Sequence, residues 1–210
     1  KWINNNLKQL LNHVRCFDVV LDFYPAQTSR LRDMLSHLPV RVLPFMVNVD
    51  SSRNEDIDQK KQKNHDICVV GSVTPRRAKI YNMLRNKGLV LSGYDTEDFA
   101  GVIKDSKIVL NVHAQRCVTF ESPRIVEALR LGACLVTEPC FGMSELIPPE
   151  CCFVEPYSGL VDRVSSLIRD ESICQQYGNA AKSFFLHQYD DRCRQAWKDL
   201  LSEIRSIIRD

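Results

Sequence analysis

The chain has 210 residues, of which 44 % are apolar and 26 % charged, the composition of an ordinary globular protein. Its formal net charge of +2 lacks the basic excess that nucleic-acid-binding proteins usually show, so no nucleic-acid partner is expected. No apolar run approaches the roughly 20 residues that a membrane-spanning helix needs, so no transmembrane segment is expected either.

Apolar residues recur along the chain at spacings that alternate between short strands and helices. Strands are predicted at residues 18–23, 40–47, 67–71, 89–93, 108–113, 134–138 and 152–155. Helices are predicted at residues 2–14, 29–38, 75–87, 96–105, 122–131, 144–147, 158–169, 171–187 and 191–209. Pro44 cannot donate a ladder hydrogen bond, so it makes the second strand an edge strand or ends it early.

The strands that follow the polar residues 51–65, a predicted linker, are short and almost continuously apolar. Such strands alternating with helices indicate a parallel sheet covered on both faces. We therefore predict a doubly wound, Rossmann-like α/β fold, in which ligands bind at the carboxyl ends of the strands. The residues to inspect are those just after the predicted strand ends, which are Gly71, Gly93, His113, Glu138 and Glu155.

Nine cysteines are present, an odd number, and no Cys-x-x-Cys pair occurs. Several lie inside apolar runs, as Cys68 and Cys134 do, where a free thiol packs like a small apolar side chain. This pattern favours reduced core thiols in a cytoplasmic protein. Ligand pairs with zinc spacing are absent from the sequence, so no metal site is expected.

The segment 119–132 contains a predicted helix start. Ser122 suits the N-cap and Pro123 the first helical position, so free N–H groups would face the carboxyl edge of the sheet and attract an anion. Arg124 and Glu127 lie three residues apart on one face of this helix. Either they serve a ligand, or they form an ordinary surface ion pair with each other.

Four segments in order resemble group 1 glycosyltransferases of the GT-B type, closest to the spore-maturation-type branch. They read SPRIVEALRLGACLVTE from Ser122, DICVVGSVTPRRAKIYNMLRNKG from Asp66, VLNVH at 109–113 and FGMSELI at 141–147. The resemblance covers about residues 66–190. It implies the donor-binding C-terminal domain of such an enzyme, with a nucleotide sugar as donor substrate and no cofactor.

The resemblance also assigns roles to particular residues. Glu127 matches a glutamate that accepts hydrogen bonds from the ribose hydroxyls, which a carboxylate can do twice. Arg124 would pair with the diphosphate. Arg76 and Arg77 follow the turn at Gly71 and Ser72, where basic residues neutralise the leaving diphosphate and a guanidinium fits phosphate oxygens. The alternative for Arg76 and Arg77 is a solvated helix start.

Other candidates lie nearer the expected sugar. His113 ends a strand at the carboxyl edge, and Asn111 shares its face of that strand. Glu145 follows a turn that the family places near the sugar, although a plain helix cap is equally consistent with it. Many group 1 enzymes carry Glu-x7-Glu, but Thr119 stands where the first glutamate belongs. Either Glu121 replaces that glutamate, or the sugar is bound otherwise.

The first 50 residues resemble the last strands of the acceptor-side domain of a GT-B enzyme. We therefore divide the chain into residues 1–50, a partial N-terminal α/β segment; 51–65, the linker; 66–190, the nucleotide-sugar-binding domain; and 191–210, a C-terminal helix. A full first domain needs well over 100 residues. The acceptor half would then come from an N-terminal domain outside this chain or from a partner subunit.

The function expected from this resemblance is metal-independent transfer of a sugar from a nucleotide-sugar donor to an acceptor. Related enzymes mostly retain the anomeric configuration. Two alternatives stay open. One is a module that keeps the fold without the reaction, which fits Thr119 and the incomplete acceptor half. The other is a Rossmann-like module for a different phosphate ligand, since a fold does not fix a function.

Overall fold

The computed structural model describes residues 17, 19–22, 25–36, 38–46, 63–69, 71–94, 96–115 and 122–209. The strands are β1 (Val20–Asp22), β2 (Val40–Val42), β3 (His65–Val69), β4 (Leu91–Ser92), β5 (Ser106–Asn111), β6 (Cys134–Thr137) and β7 (Phe153–Val154). The helices are α1 (Pro25–Met34), α2 (Pro75–Arg85), α3 (Phe99–Lys104), α4 (Ser122–Arg130), α5 (Met143–Leu146), α6 (Leu160–Leu167), α7 (Glu171–Phe184) and α8 (Asp190–Arg209).

By its contacts the chain divides into two compact units, one made of the described parts of residues 1–45 and 192–209, the other of those of 46–191. In the first unit β1 and β2 pair in parallel, and Leu35 and Val40 form a small core. Arg41 on β2 donates from Nε to Glu203 on α8 over 2.8 Å. None of the helices in the described residues is long and apolar enough to cross a membrane.

The second unit is built on a five-stranded parallel sheet with the order β4-β3-β5-β6-β7. The central strands are buried on both faces, as Ile67, Ile108 and Leu135 show with 0 % exposure each. A strand with one face in water would alternate apolar and polar residues. These strands are apolar throughout because helices cover both faces of the sheet. The predicted doubly wound α/β fold is confirmed.

The sequence placed two elements of the first unit inaccurately. The helix predicted at residues 29–38 runs instead from Pro25 to Met34. Beyond the end of this helix Leu35 is buried and Leu38 is half-buried. Their apolar spacing in the sequence therefore resembles the buried face of a longer helix. The strand predicted at 40–47 ends at Val42, two residues before Pro44, which agrees with the expected early stop. The helix predicted at 2–14 lies outside the described residues.

Helix α7 packs against the turn that follows α4 through two glycines. A Cβ built on Gly178 would lie 2.3 Å from the carbonyl oxygen of Gly132, closer than real Cβ contacts come. Gly132 itself has a φ of +67°, which favours glycine at this helix end. Gly178 is therefore required by the close approach of the two backbones.

We expect Gly178→Ala to destabilise the protein. Alanine gains about 1 kcal/mol over glycine in a helix interior, but overpacking against a backbone carbonyl costs about 1–3 kcal/mol or more, and the carbonyl cannot rotate away as a side chain could. Urea denaturation should show a lower free energy of unfolding. Gln176→Ala, at an exposed position of the same helix, should stay within about 0.5 kcal/mol. Equal stability of the two variants would contradict the packing argument.

Candidate functional site

The candidate site lies where the strand order reverses. Strand β3 lies between β4 and β5 in the sheet, so the chain leaves β3 through α2 to one side and returns through α3 to the other. In doubly wound sheets the carboxyl ends of the strands beside this point form a crevice that holds ligands. Here Gly71 follows β3 and His113 follows β5.

Helix α2 begins at this crevice with Thr74 as its N-cap. The Thr74 hydroxyl accepts a hydrogen bond from the Arg77 backbone N–H over 3.4 Å. The same hydroxyl donates to the Ala114 carbonyl over 3.1 Å. The cap therefore satisfies a free donor of the helix and also fastens the helix start to the segment after β5.

Two arginines extend this attachment. Arg77 donates from Nε to the Val112 carbonyl over 2.7 Å, and Arg76 donates from Nη1 to the His113 carbonyl over 2.9 Å. With the bond to Ala114, three consecutive carbonyls after β5 accept hydrogen bonds from the first turn of α2. Val112 and His113 are buried, so these carbonyls would otherwise carry a desolvation penalty.

Two guanidinium groups lie against Gly71. A Cβ built on Gly71 would lie 3.1 Å from Nη1 of Arg77 and 3.5 Å from Nη2 of Arg124. The φ of Gly71 is +88°, so glycine suits both the backbone and the space. Arg77 also donates to the Ser72 carbonyl over 3.0 Å. Two cations beside a backbone with no side chain make a place where an anion can approach closely.

Arg124 is held by the amide of Asn111. Its Nη1 donates to Asn111 Oδ1 over 2.8 Å, while Asn111 Nδ2 donates to the Thr137 hydroxyl over 3.0 Å. Asn111 is 1 % exposed. The amide is thereby oriented from both ends, and it presents its oxygen to the arginine. The structure therefore brings together Gly71, Asn111, Arg77 and Arg124, residues up to 53 positions apart.

Arg76 is engaged by a carboxylate that the sequence did not single out for a role. Glu138 forms a two-pronged ion pair with Arg76, one bond being Nη1 to Oε2 over 2.6 Å. Glu138 also accepts the His113 backbone N–H over 2.7 Å. The ring of Tyr157 lies 4.0 Å from the Arg76 guanidinium carbon. Glu138 directly follows β6 and Tyr157 follows β7 by three residues, so their position at strand ends was the available signal.

Glu127 pairs with Arg130, and the alternative of an Arg124–Glu127 pair is wrong. Arg130 donates from Nε to Glu127 Oε2 over 2.9 Å and from Nη2 to Oε1. Arg124 and Arg130 are both three residues from Glu127, so the spacing favoured neither. Burial decides, because Arg130 is 5 % exposed and needs a carboxylate, whereas Arg124 reaches the Asn111 amide.

For the remaining candidate residues that the structure describes, it gives a position but no contact that indicates a role. Ser72 is exposed. His113 is buried, and its backbone carbonyl and N–H are bonded to Arg76 and Glu138. Glu145 is exposed in the first turn of α5, which starts after Gly142 with a φ of 73°. Thr119 and Glu121 lie outside the described residues, so the displaced first glutamate stays a prediction. The roles proposed for all these residues likewise stay predictions.

Cysteine burial matches the expected core thiols. Of the seven cysteines in the described residues none forms a disulfide, and five are buried. Burial raises the pKa of Cys68 to about 12, and burial together with Cys151 does the same for Cys152. A thiol with so high a pKa is not a nucleophile at neutral pH. Within the described ranges no group of three or more His, Cys, Asp or Glu side chains is arranged to hold a metal.

We expect Arg77→Lys to destabilise the protein although charge is kept. Arg77 is 2 % exposed and bonds two carbonyls with different nitrogens, which a single ammonium cannot reproduce. Leaving one buried carbonyl without a donor should cost about 1–3 kcal/mol of unfolding free energy in urea denaturation. Arg85→Lys, exposed on the same helix, should cost less than about 1 kcal/mol. Similar losses in both variants would contradict this role.

The fold resembles several solved structures at low sequence identity. Sucrose-phosphate synthase from Thermosynechococcus elongatus matches at a TM-score of 0.60 and 14 % identity over 90 % of this chain and 59 % of that chain. TarM matches at 0.62 and 15 % over 93 % and 46 %. HepE of Anabaena, solved with UDP and glucose, matches at 0.66 and 13 % over 94 % and 67 %.

These likenesses confirm the Rossmann-like fold expected for a GT-B enzyme and, at such identities, the fold alone. The chain spans little more than half the length of the synthase and less than half that of TarM. No curated protein sequence matches the chain. The sequence pattern that defines the glycosyl transferase-like family matches residues 55–198, well over half of the chain, and the chain therefore belongs to that family.

Proposed function

We propose that the second unit binds a nucleotide-sugar donor and that the protein transfers the sugar to an acceptor. The observation that carries this proposal is the pair of guanidinium groups, Arg77 and Arg124, against Gly71 at the crevice between β3 and β5. A diphosphate is the anion that suits two forked cations and a bare backbone. Family membership makes a sugar diphosphate the relevant form of it.

The proposed catalytic role of these arginines is electrostatic stabilisation of the departing diphosphate. When the bond between the sugar and the diphosphate breaks, negative charge grows on the departing oxygen. Arg77 and Arg124 are already oriented by Val112, Ser72 and Asn111, so they stabilise that charge with little reorganisation. We propose metal-independent transfer, because these side chains supply the positive charge that a divalent cation supplies elsewhere.

Glu127 is proposed to hold the ribose. Its carboxylate gives two acceptor positions to Arg130, and a carboxylate has about four, so two stay available for the ribose hydroxyls. Arg130 fixes the direction of this carboxylate through its two hydrogen bonds. The assignment comes from the family motif that Val126-Glu127-Ala128 matches.

Finer features of the proposal follow from the resemblance described for residues 66–190. They are membership of the spore-maturation-type branch, retention of anomeric configuration, and an acceptor bound by an N-terminal domain or a partner subunit. A second candidate function is donor binding without transfer, which Thr119 favours by replacing the motif glutamate. Release of UDP from UDP-glucose, with the glucose passing to an acceptor or to water, separates the two candidates.

We expect the chain to bind UDP without a divalent cation. Titration calorimetry with UDP should give the same dissociation constant in EDTA and in millimolar magnesium, because arginines neutralise the diphosphate. Uridine, which lacks phosphate, should bind more weakly. A UDP affinity that disappears on chelation would refute the metal-free mechanism, and equal affinity for uridine and UDP would refute the phosphate site.

Glu127→Gln should reduce UDP affinity by about ten- to a hundredfold, the value of a hydrogen bond to a charged group, about 1.5–3 kcal/mol. The sharper comparison uses 2′-deoxy-UDP, which should bind the native chain more weakly than UDP. In Glu127→Gln the two nucleotides should bind alike, because the acceptor of that hydroxyl is altered.

The substitution also removes the negative charge that pairs with buried Arg130, so we expect a loss of unfolding free energy on the order of 3 kcal/mol. Binding is therefore measured well below the melting temperature. Glu203→Gln alters the more exposed Arg41–Glu203 pair of the first unit and serves as the matched control, with unchanged affinity. If Glu127→Gln still discriminates UDP from its 2′-deoxy form as the native chain does, the ribose role is excluded.

A further inference from the structure

Glu138 joins three elements at the carboxyl edge of the sheet. It follows β6, its carboxylate receives the guanidinium of Arg76 from α2, and it accepts the backbone N–H of His113 after β5. Its side chain is 6 % exposed, against 21 % for Arg76. A carboxylate this buried is costly unless it is paired and hydrogen-bonded, and here it is both.

Tyr157 completes the arrangement from the segment after β7. Its ring lies 4.0 Å from the Arg76 guanidinium carbon, and its hydroxyl donates to the Arg76 carbonyl over 2.8 Å. Glu138 therefore pairs with the Arg76 guanidinium, and the Tyr157 ring packs against the same group. The Tyr157 hydroxyl holds the Arg76 backbone. We refer to Arg76, Glu138 and Tyr157 as the arginine clamp.

The clamp acts on the backbone that orients the proposed phosphate ligands. Arg76 and Glu138 bond the carbonyl and the N–H of the same residue, His113. The preceding carbonyl, Val112, is the acceptor of Arg77 Nε. A shift of His113 therefore moves the group that directs Arg77 toward Gly71.

We propose that Glu138 is a positioning residue of the donor site. Through Arg76 and His113 it fixes the direction of Arg77, and Arg76 belongs to this clamp instead of contacting the diphosphate. The inference rests on the proposed function, since it concerns the same site. Glu138 has no role in the assignment made from the sequence, and the role proposed here for Arg76 differs from the diphosphate contact expected there.

Loss of Glu138 alone would have two opposing effects on an anion. It would loosen Arg77, which weakens binding, and it would remove a negative charge that is paired with Arg76, which strengthens binding. The double variant Arg76→Gln/Glu138→Gln removes one charge of each sign and leaves the net charge unchanged. Its effect on binding therefore reports on position, separately from the charge of the site.

The experiment measures dissociation constants of UMP and UDP by titration calorimetry for the native chain and the double variant. Their ratio isolates the contribution of the second phosphate, which a loss of overall stability does not change below the melting transition. We expect the ratio of the UMP dissociation constant to the UDP dissociation constant to fall by about three- to tenfold, a change typical of coupled polar neighbours. The matched control Arg41→Gln/Glu203→Gln, a two-pronged arginine–glutamate pair of the first unit, should keep the native ratio.

Arg76→Lys is the second variant, because it removes little volume and is measurable if the double variant does not fold. An ammonium keeps the charge but cannot reach both Glu138 and His113 as the guanidinium does. We expect the same fall in the UMP-to-UDP ratio. A native ratio in a folded double variant, or in Arg76→Lys, overturns the positioning role alone. Failure of the native chain to bind UDP overturns the proposed function and this inference together.

Discussion

The first turn of α2 is bonded to three consecutive carbonyls that follow β5, and the geometry of the site depends on this attachment. Thr74, Arg76 and Arg77 supply the three donors. Carbonyls at the end of a parallel strand have no ladder partner, and burying them unpaired is costly. The side chains of the helix satisfy them, and in doing so they hold the crevice between β3 and β5 in one shape.

The positive charge of the site is a consequence of the same attachment. Arg77 is buried because it serves backbone carbonyls, yet its Nη1 still lies against Gly71, where Arg124 arrives from α4. Bonds to carbonyl and amide oxygens orient the two guanidinium groups at Gly71. Two oriented guanidinium groups beside a glycine suit an anionic ligand such as a phosphate.

Much of the second unit was predictable, because each strand is a short apolar run bounded by polar residues and each helix start has its own signal. Thr74 before Pro75 marks α2, and Ser122 before Pro123 marks α4. The predicted strands differ from the observed ones mainly at their ends, where burial continues past the ladder. The Arg76–Glu138 pair was not predictable, since its partners are 62 residues apart and only the sheet order brings them together. Glu127 illustrates the same limit, because two arginines at equal spacing differ only in burial.

The central claim is that the diphosphate of a nucleotide sugar binds at Gly71 between Arg77 and Arg124. A crystal structure of the chain with UDP tests it most directly. We expect the β-phosphate within hydrogen-bonding distance of the Arg124 guanidinium and the Gly71 backbone, with the ribose directed toward Glu127. UDP bound away from the carboxyl ends of β3 and β5, or with its phosphates turned to solvent, would contradict the account.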